Sequence, residues 1–214
     1  LGRHHGRGAG GNRSRRAGLL PVRNRHWRLR HCLERPRRNA AAAARGGPPR
    51  HRAPPAIDGT RRAIAQSLPI IEYLEETHPT PALLPTDAVG RARVRALSYD
   101  IACEIHPLNN LRVLRYLVHD LKLGEDDKDR WYRHWVESGL ETVETQLAAH
   151  PATGKFCHGD TPSLADCALV PQIHNANRFN CRLEHVPTVM RVFQECMRLD
   201  AFAKTQPSAC PDAS

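Results

Sequence analysis

The chain has 214 residues, with 32 basic and 22 acidic side chains and a formal net charge of +10. That length holds one large domain or two small ones. No apolar run approaches the roughly 20 residues of a membrane span, and the arginines of the first residues lead into no apolar stretch of the signal-peptide kind. The seven cysteines (Cys32, Cys103, Cys157, Cys167, Cys181, Cys196 and Cys210) are scattered, odd in number and without a C-x-x-C pair. That pattern argues against a disulfide framework or a metal site and fits a reducing, cytoplasmic setting.

The positive charge belongs to one segment. Residues 1–62 carry 17 arginines, no lysine, and only Glu34 and Asp58 as acids, a formal charge of +15. Residues 63–214 carry 15 basic and 20 acidic side chains, a formal charge of −5. The first segment is built from Arg, Gly, Ala, Pro and His, has few branched apolar residues, and shows no period of 2 or 3.6. Such a composition buries too little surface to offset chain entropy, so disorder is expected. An arginine-rich tail can bind nucleic acid through its phosphates, but Trp27 is its only aromatic and base stacking needs more. A transit peptide shares the arginine content and lack of acids, yet is normally Ser-rich, and only Ser14 is present. A GC-rich gene read out of frame yields this composition directly.

The first periodic stretch is Gln66-Ser67-Leu68-Pro69-Ile70-Ile71-Glu72-Tyr73-Leu74-Glu75-Glu76. Ser67 is an expected N-cap, and Pro69 sits in the first turn, where its missing donor costs little. Leu68, Ile71, Tyr73 and Leu74 form an apolar side, with Glu72, Glu75 and Glu76 facing water. A helix start of this kind also favours an anion. His78-Pro79 ends the helix near Thr77.

Asp87 then caps a helix whose Val94, Leu97, Ile101 and Ile105 make one buried stripe. Arg91, Arg93 and Arg95 are read as a solvated face. Pro107, in His106-Pro107-Leu108-Asn109-Asn110-Leu111-Arg112, predicts a break or kink, and Leu111, Leu114, Leu117 and Val118 continue the stripe. On residues alone, His106 at a kink is structural. Gly124 to Asp127 open a further helix with acids in its first turn, and Trp131, Trp135, Leu140, Val143 and Leu147 are expected to face one way, the tryptophans as core anchors. Ser163 and Asp166 have capping-box spacing ahead of a buried helix, which makes Asp166 structural. Arg178 near that helix's end either offsets the dipole or grips a carboxylate, and its planar fork suits both. Pro187 starts a last helix, Ala201-Phe202-Ala203 follows, and the tail is polar.

Gln66-Ser67 followed by Ile70-Ile71-Glu72-Tyr73-Leu74, the Leu83-Leu84-Pro85 linker, His106 to Leu114, Gly159 to Asp166 and Asn175-Ala176-Asn177-Arg178-Phe179 together resemble the zeta class of glutathione transferases, whose bacterial members are maleylacetoacetate isomerases. The resemblance runs over residues 66–205 and implies a glutathione-transferase-like fold: an all-α C-terminal domain after a thioredoxin-like α/β domain that is here largely missing or disordered. It divides the chain into an unmatched segment, 1–62; the last helix of the thioredoxin-like part, 63–79; a linker, 80–86; and the all-α domain, 87–214. It implies glutathione as cofactor, held by Gln66, Ser67, His106, Asn110, Leu111 and Arg112, and Arg178 as the grip on a dicarboxylate substrate. The implied reaction is conversion of maleylacetoacetate to fumarylacetoacetate in tyrosine and phenylalanine breakdown, carried out by a homodimer without membrane or nucleic-acid partners and without metal.

The family's thiolate-stabilising Ser-rich stretch near the N-terminus has no match here. Residues 1–62 have the length of the missing thioredoxin-like part, which strengthens the reading-frame explanation; resequencing that part of the gene tests it. The expectation that follows is a chain without isomerase turnover. The alternative is a non-catalytic interaction module with a basic nucleic-acid-binding tail. Without its partner domain, the face of Leu68, Ile71 and Leu74 is expected to lie partly exposed.

Overall fold

In a computed structural model of the chain, the structure describes residues 56–57 and 63–209. The expectation of disorder over 1–62 therefore falls outside the described residues, apart from a strand at Ala56–Ile57 (β1). β1 pairs antiparallel with β2 (Ala63–Ile64), with Ala56 opposite Ile64. The hairpin feeds directly into α1 (Ser67–Thr77). Beyond a proline-rich linker the chain is helical: α2 (Ala88–Tyr99), a π-helical turn (Asp100–Ile105), α3 (His106–Asn109), α4 (Leu111–Arg115), a second π-helical turn (Tyr116–Asp120), α5 (Glu125–Ala149), α6 (Leu164–Arg178), α7 (Pro187–Met197) and α8 (Asp200–Ala203). The all-helical reading of the second part holds.

Cap chemistry sets most of these boundaries. Asp87 accepts a hydrogen bond from Gly90 N at 2.7 Å, as its position predicts. Ser163 and Asp166 form the full capping box. Asp166 is completely buried; its carboxylate accepts from Ser163 N (2.8 Å), Ser163 Oγ (2.7 Å) and Cys157 N (2.9 Å), and the Cys196 thiol lies at 3.7 Å. Ser67 departs from expectation. It is the first residue of α1, the cap position belongs to Gln66, and no side chain bonds there.

The core is continuous from α1 to α8. Ile71 joins Val94, Leu97, Ile101 and Ile105 of α2 and its π turn, the α5 face of Tyr132, Val136, Leu140, Val143 and Leu147, and Leu164, Leu169 and Ile173 of α6. Three expectations about faces change. Leu68 is partly buried, and Ile71 and Leu74 are 2% exposed, so this face is covered rather than open. Glu75 does not face water: it is buried, and its carboxylate accepts from Leu83 N (2.8 Å) and Leu84 N (3.3 Å), fastening the end of α1 to the linker. Trp131 and Trp135 are half-buried flankers, and Tyr132 and Val136 take the core face. Leu111, expected in the apolar stripe, is exposed.

Nor are the arginines of α2 a free solvated face. Arg93 donates to Cys157 O (2.7 Å) and Thr153 Oγ1 (2.8 Å). Arg95 grips Glu72 through Nε (2.7 Å) and Nη2 (3.1 Å). One contact is set by a missing side chain: a Cβ at Gly139 of α5 would lie 2.4 Å from Ile105 Cγ1. α5 thus packs directly on the turn that leads into His106.

Candidate functional site: one end of the helical bundle

Hydrogen bonds along α1 fix its direction. Glu75 meets the linker, Glu72 meets Arg95, and Leu68, Pro69 and Tyr73 share a surface hollow with Tyr99. α1 therefore runs back along α2, with Gln66 and Ser67 toward the end where α2 passes into the π turn and His106. α6 runs the other way. Its first residue donates to the linker (Leu164 N to Leu83 O, 2.9 Å), so Arg178 emerges at that same far end. The first turns of α5 tie the pieces together. Trp131 Nε1 donates to Leu108 O at 2.9 Å, and the Tyr132 ring stacks on Phe179 with centroids 3.6 Å apart. The three groups of residues singled out in the sequence thus converge on one end of the bundle.

At the start of α1, Gln66 has φ 74° and ψ 141°, a region non-glycine residues rarely occupy. Such strain costs about 1–3 kcal/mol and clusters where ligands are held. Gln66 and Ser67 are both exposed. The N–H groups of Ser67 and Leu68 have no carbonyl within the helix to bond, and the helix dipole favours an anion beside them. A carboxylate is the kind of anion that such donors take.

The break predicted at Pro107 falls three residues later. Pro107 is carried inside α3, and the chain leaves the helix at Asn110, with ψ 157°. Asn110 organises the break: its Oδ1 accepts from Arg112 N (3.0 Å) and Val113 N (3.2 Å), and its Nδ2 donates to Pro107 O (2.9 Å). Its side chain is therefore committed to capping α4. Leu111 and Arg112 are exposed and His106 is half-buried. The π turns on either side of this segment give no signal in the sequence, and such turns recur at functional sites.

Arg178 is exposed at the end of α6. Arg133 Nη1 donates to Phe179 O at 3.4 Å, so a different arginine serves that helix end. Four residues before Arg178 on the same face, His174 is half-buried, and burial together with the Arg178 charge pushes its pKa below the usual histidine range. Burial and the Arg178 charge thus both favour the uncharged form of His174. The i,i+4 spacing of His174 and Arg178 was visible in the sequence and is the signal that could have shown it.

Residues 128–188 match the glutathione S-transferase C-terminal domain family. Over 160 residues the chain is 46% identical to a maleylpyruvate isomerase of Ralstonia sp, covering 75% of this chain and 76% of that protein. The chain belongs to the zeta class of the glutathione transferases. A probable maleylacetoacetate isomerase of Vibrio cholerae is 45% identical over 160 residues, covering 75% of this chain and 73% of that protein. Among solved structures, the holo form of a zeta-class maleylpyruvate isomerase superposes with a TM-score of 0.74 at 37% identity, covering 89% of this chain and 96% of the other. The glutathione-bound maleylacetoacetate isomerase of Anaeromyxobacter dehalogenans gives 0.74 at 37% identity, covering 89% and 94%. Among the described residues no group of His, Cys, Asp and Glu could hold a metal, and no helix is long and apolar enough to cross a membrane.

Proposed function

We propose that this zeta-class chain is built for glutathione-dependent cis–trans isomerisation of a maleyl-type dicarboxylate, with maleylacetoacetate of tyrosine and phenylalanine breakdown as substrate. The observation that carries the reading is the convergence of the α1 start, the Asn110 break and the α6 end on one side of the bundle. When bound, glutathione supplies a thiolate that adds reversibly to the conjugated double bond, leaving a single bond free to rotate before elimination. Gln66 and Ser67 hold the γ-glutamyl end through the free N–H groups of α1. His106, Asn110, Leu111 and Arg112 flank the rest of the tripeptide, Asn110 through the backbone it caps. Arg178 pairs with a substrate carboxylate. We place the protein in the cytoplasm as a homodimer. The hollow lined by Leu68, Pro69, Glu72, Tyr73, Glu76 and Tyr99 supports an isologous contact there.

Residues 1–62 lack the family's motif for lowering the pKa of the thiol. The full chain is therefore expected to bind glutathione, to lose that binding in Ser67→Ala, and to give no turnover of maleylacetoacetate. Residues 63–214 joined to the thioredoxin-like half of the Ralstonia relative are expected to turn over, with kcat/KM reduced about tenfold or more by Arg178→Ala. Turnover by the unaltered chain refutes the missing-activation reading. A chimaera that folds and binds glutathione yet never isomerises refutes the assignment of the helical half.

A further inference from the structure

The loop between α5 and α6, residues 150–160, is fastened to α2 by one side chain. Arg93 donates to Cys157 O (2.7 Å) and Thr153 Oγ1 (2.8 Å), and its Nη1 meets His158 Nδ1 at 3.2 Å. A guanidinium has donors only and stays charged throughout the ordinary pH range. His158 Nδ1 is therefore the acceptor, and the ring carries its one proton on Nε2. A second proton would turn Nδ1 into an N–H aimed at a cation.

The other charged groups that face His158 do not cancel that conflict. Asp87 and Asp166 favour the imidazolium, but Asp87 Oδ1 already accepts from Gly90 N, and Asp166 is shared among donors of Ser163 and Cys157. His150 lies on the same loop, where its Nδ1 accepts from Ala152 N at 3.1 Å; once charged, it adds repulsion. Burial first, then the charges of Arg93 and His150, hold the His158 pKa below the usual histidine range. The closed loop thus fits the neutral ring, and closure weakens as pH falls below the ordinary histidine value of about 6.5.

We propose that this loop is a pH-sensitive clasp: it closes on α2 while His158 is neutral, and lets go of Arg93 when the imidazole takes up a proton. On its other side, Arg191 Nη1 of α7 donates to Gly154 O at 2.8 Å, a bond that no proton uptake in this range breaks. The loop therefore loosens on its α2 side, around Cys157, and stays tied to α7. Inside it, Gly159 N donates to Ala152 O (2.8 Å) and Phe156 N to Gly159 O (3.0 Å), so its own amides register the change. The clasp sits at the linker end of the bundle, where Leu164 N bonds Leu83 O, and is independent of the isomerase reading.

The test is amide hydrogen exchange of the full chain at about pH 7.5 and about pH 5.5, each corrected for the intrinsic rate, with residues 136–147 of α5 as reference. An imidazole of ordinary pKa in the open loop is about nine-tenths protonated at the lower pH. Protection of the 152–159 amides is therefore expected to fall by up to about tenfold there, while the α5 reference holds. His158→Gln, whose amide oxygen accepts from Arg93 at either pH, is expected to abolish the fall. Unchanged loop protection in the wild-type chain overturns the proposal. So does a fall of full size in His158→Gln, or one shared equally by α5, which is loosening of the whole fold. Should His158→Gln fail to fold, Arg93→Met removes the cation instead: low protection at both pH values is expected, and a full-size fall in that variant also overturns the clasp.

Discussion

Asp166 shows what one residue's spacing can and cannot tell. Its partnership with Ser163 is three residues long and was legible, because a capping box is a local contract between a helix and its own first turn. Its bonds to Cys157 N and the Cys196 thiol come from 9 and 30 residues away and have no local signature. Replacing it leaves Cys157 N and Ser163 N buried without acceptors. Asp166→Ala is expected to cost about 3 kcal/mol or more in urea unfolding, and Asp166→Asn, which keeps one acceptor oxygen, about half of that. Equal costs would show that the acceptor oxygen kept in Asp166→Asn contributes nothing. Arg93 and Glu75 escaped the sequence reading for the same reason. A charged or polar side chain on a helix is assigned to water by default, and only distant backbone can overrule that. Gln66, Ser67 and Arg178 were assigned roles chiefly through the order of several motifs, because cap and fork chemistry alone left a structural reading open.

At the scale of elements, helix starts were the best predicted features, since caps are written in two or three residues. Faces were harder. Both Trp131-Trp135 and Tyr132-Val136 continue plausibly into Leu140, Val143 and Leu147. From Trp135 the next step is five residues, from Val136 it is four, and four is the step a helix keeps. The π turns could not be read at all, because an extra residue in a turn is decided by packing, here Ile105 against Gly139. The joint between α1 and α2 makes a testable case. The hydrogen bonds from Arg95 hold the Glu72 carboxyl below the usual carboxylate range, with partial burial opposing and the Arg95 and Arg91 charges assisting. A depressed carboxyl pKa stabilises the fold above the ordinary value near pH 4.3 and loses that contribution as pH falls through the folded value. Arg95→Ala is therefore expected to cost about 0.5–1 kcal/mol at pH 7 and to flatten the fall in stability between about pH 5 and 3. Denaturation curves across that range check it; a loss that stays the same at pH 3 would mean Arg95 acts through packing alone.

The molecule as a whole keeps its reactive groups indoors. Of the cysteines described, Cys103 is exposed while Cys157, Cys167, Cys181 and Cys196 are buried. Burial pushes the thiols of Cys157 and Cys196 well up and that of Cys181 up to about 11. With Cys32 and Cys210 replaced by serine, native protein at pH 8 is expected to release one rapid equivalent in a chromogenic thiol titration and five in denaturant. Cys103→Ser should abolish the rapid one, and persistence of that equivalent would mean a buried thiol is opening. The same enclosure gives Gly139 its importance. The hydrogen that stands there in place of a methyl sets how closely the longest helix approaches the turn ahead of His106. Any larger residue must lever that turn outward, and with it the segment from His106 onward that the proposed site uses. If the proposed site is right, a position outside it governs its shape, and variation there would retune recognition from behind.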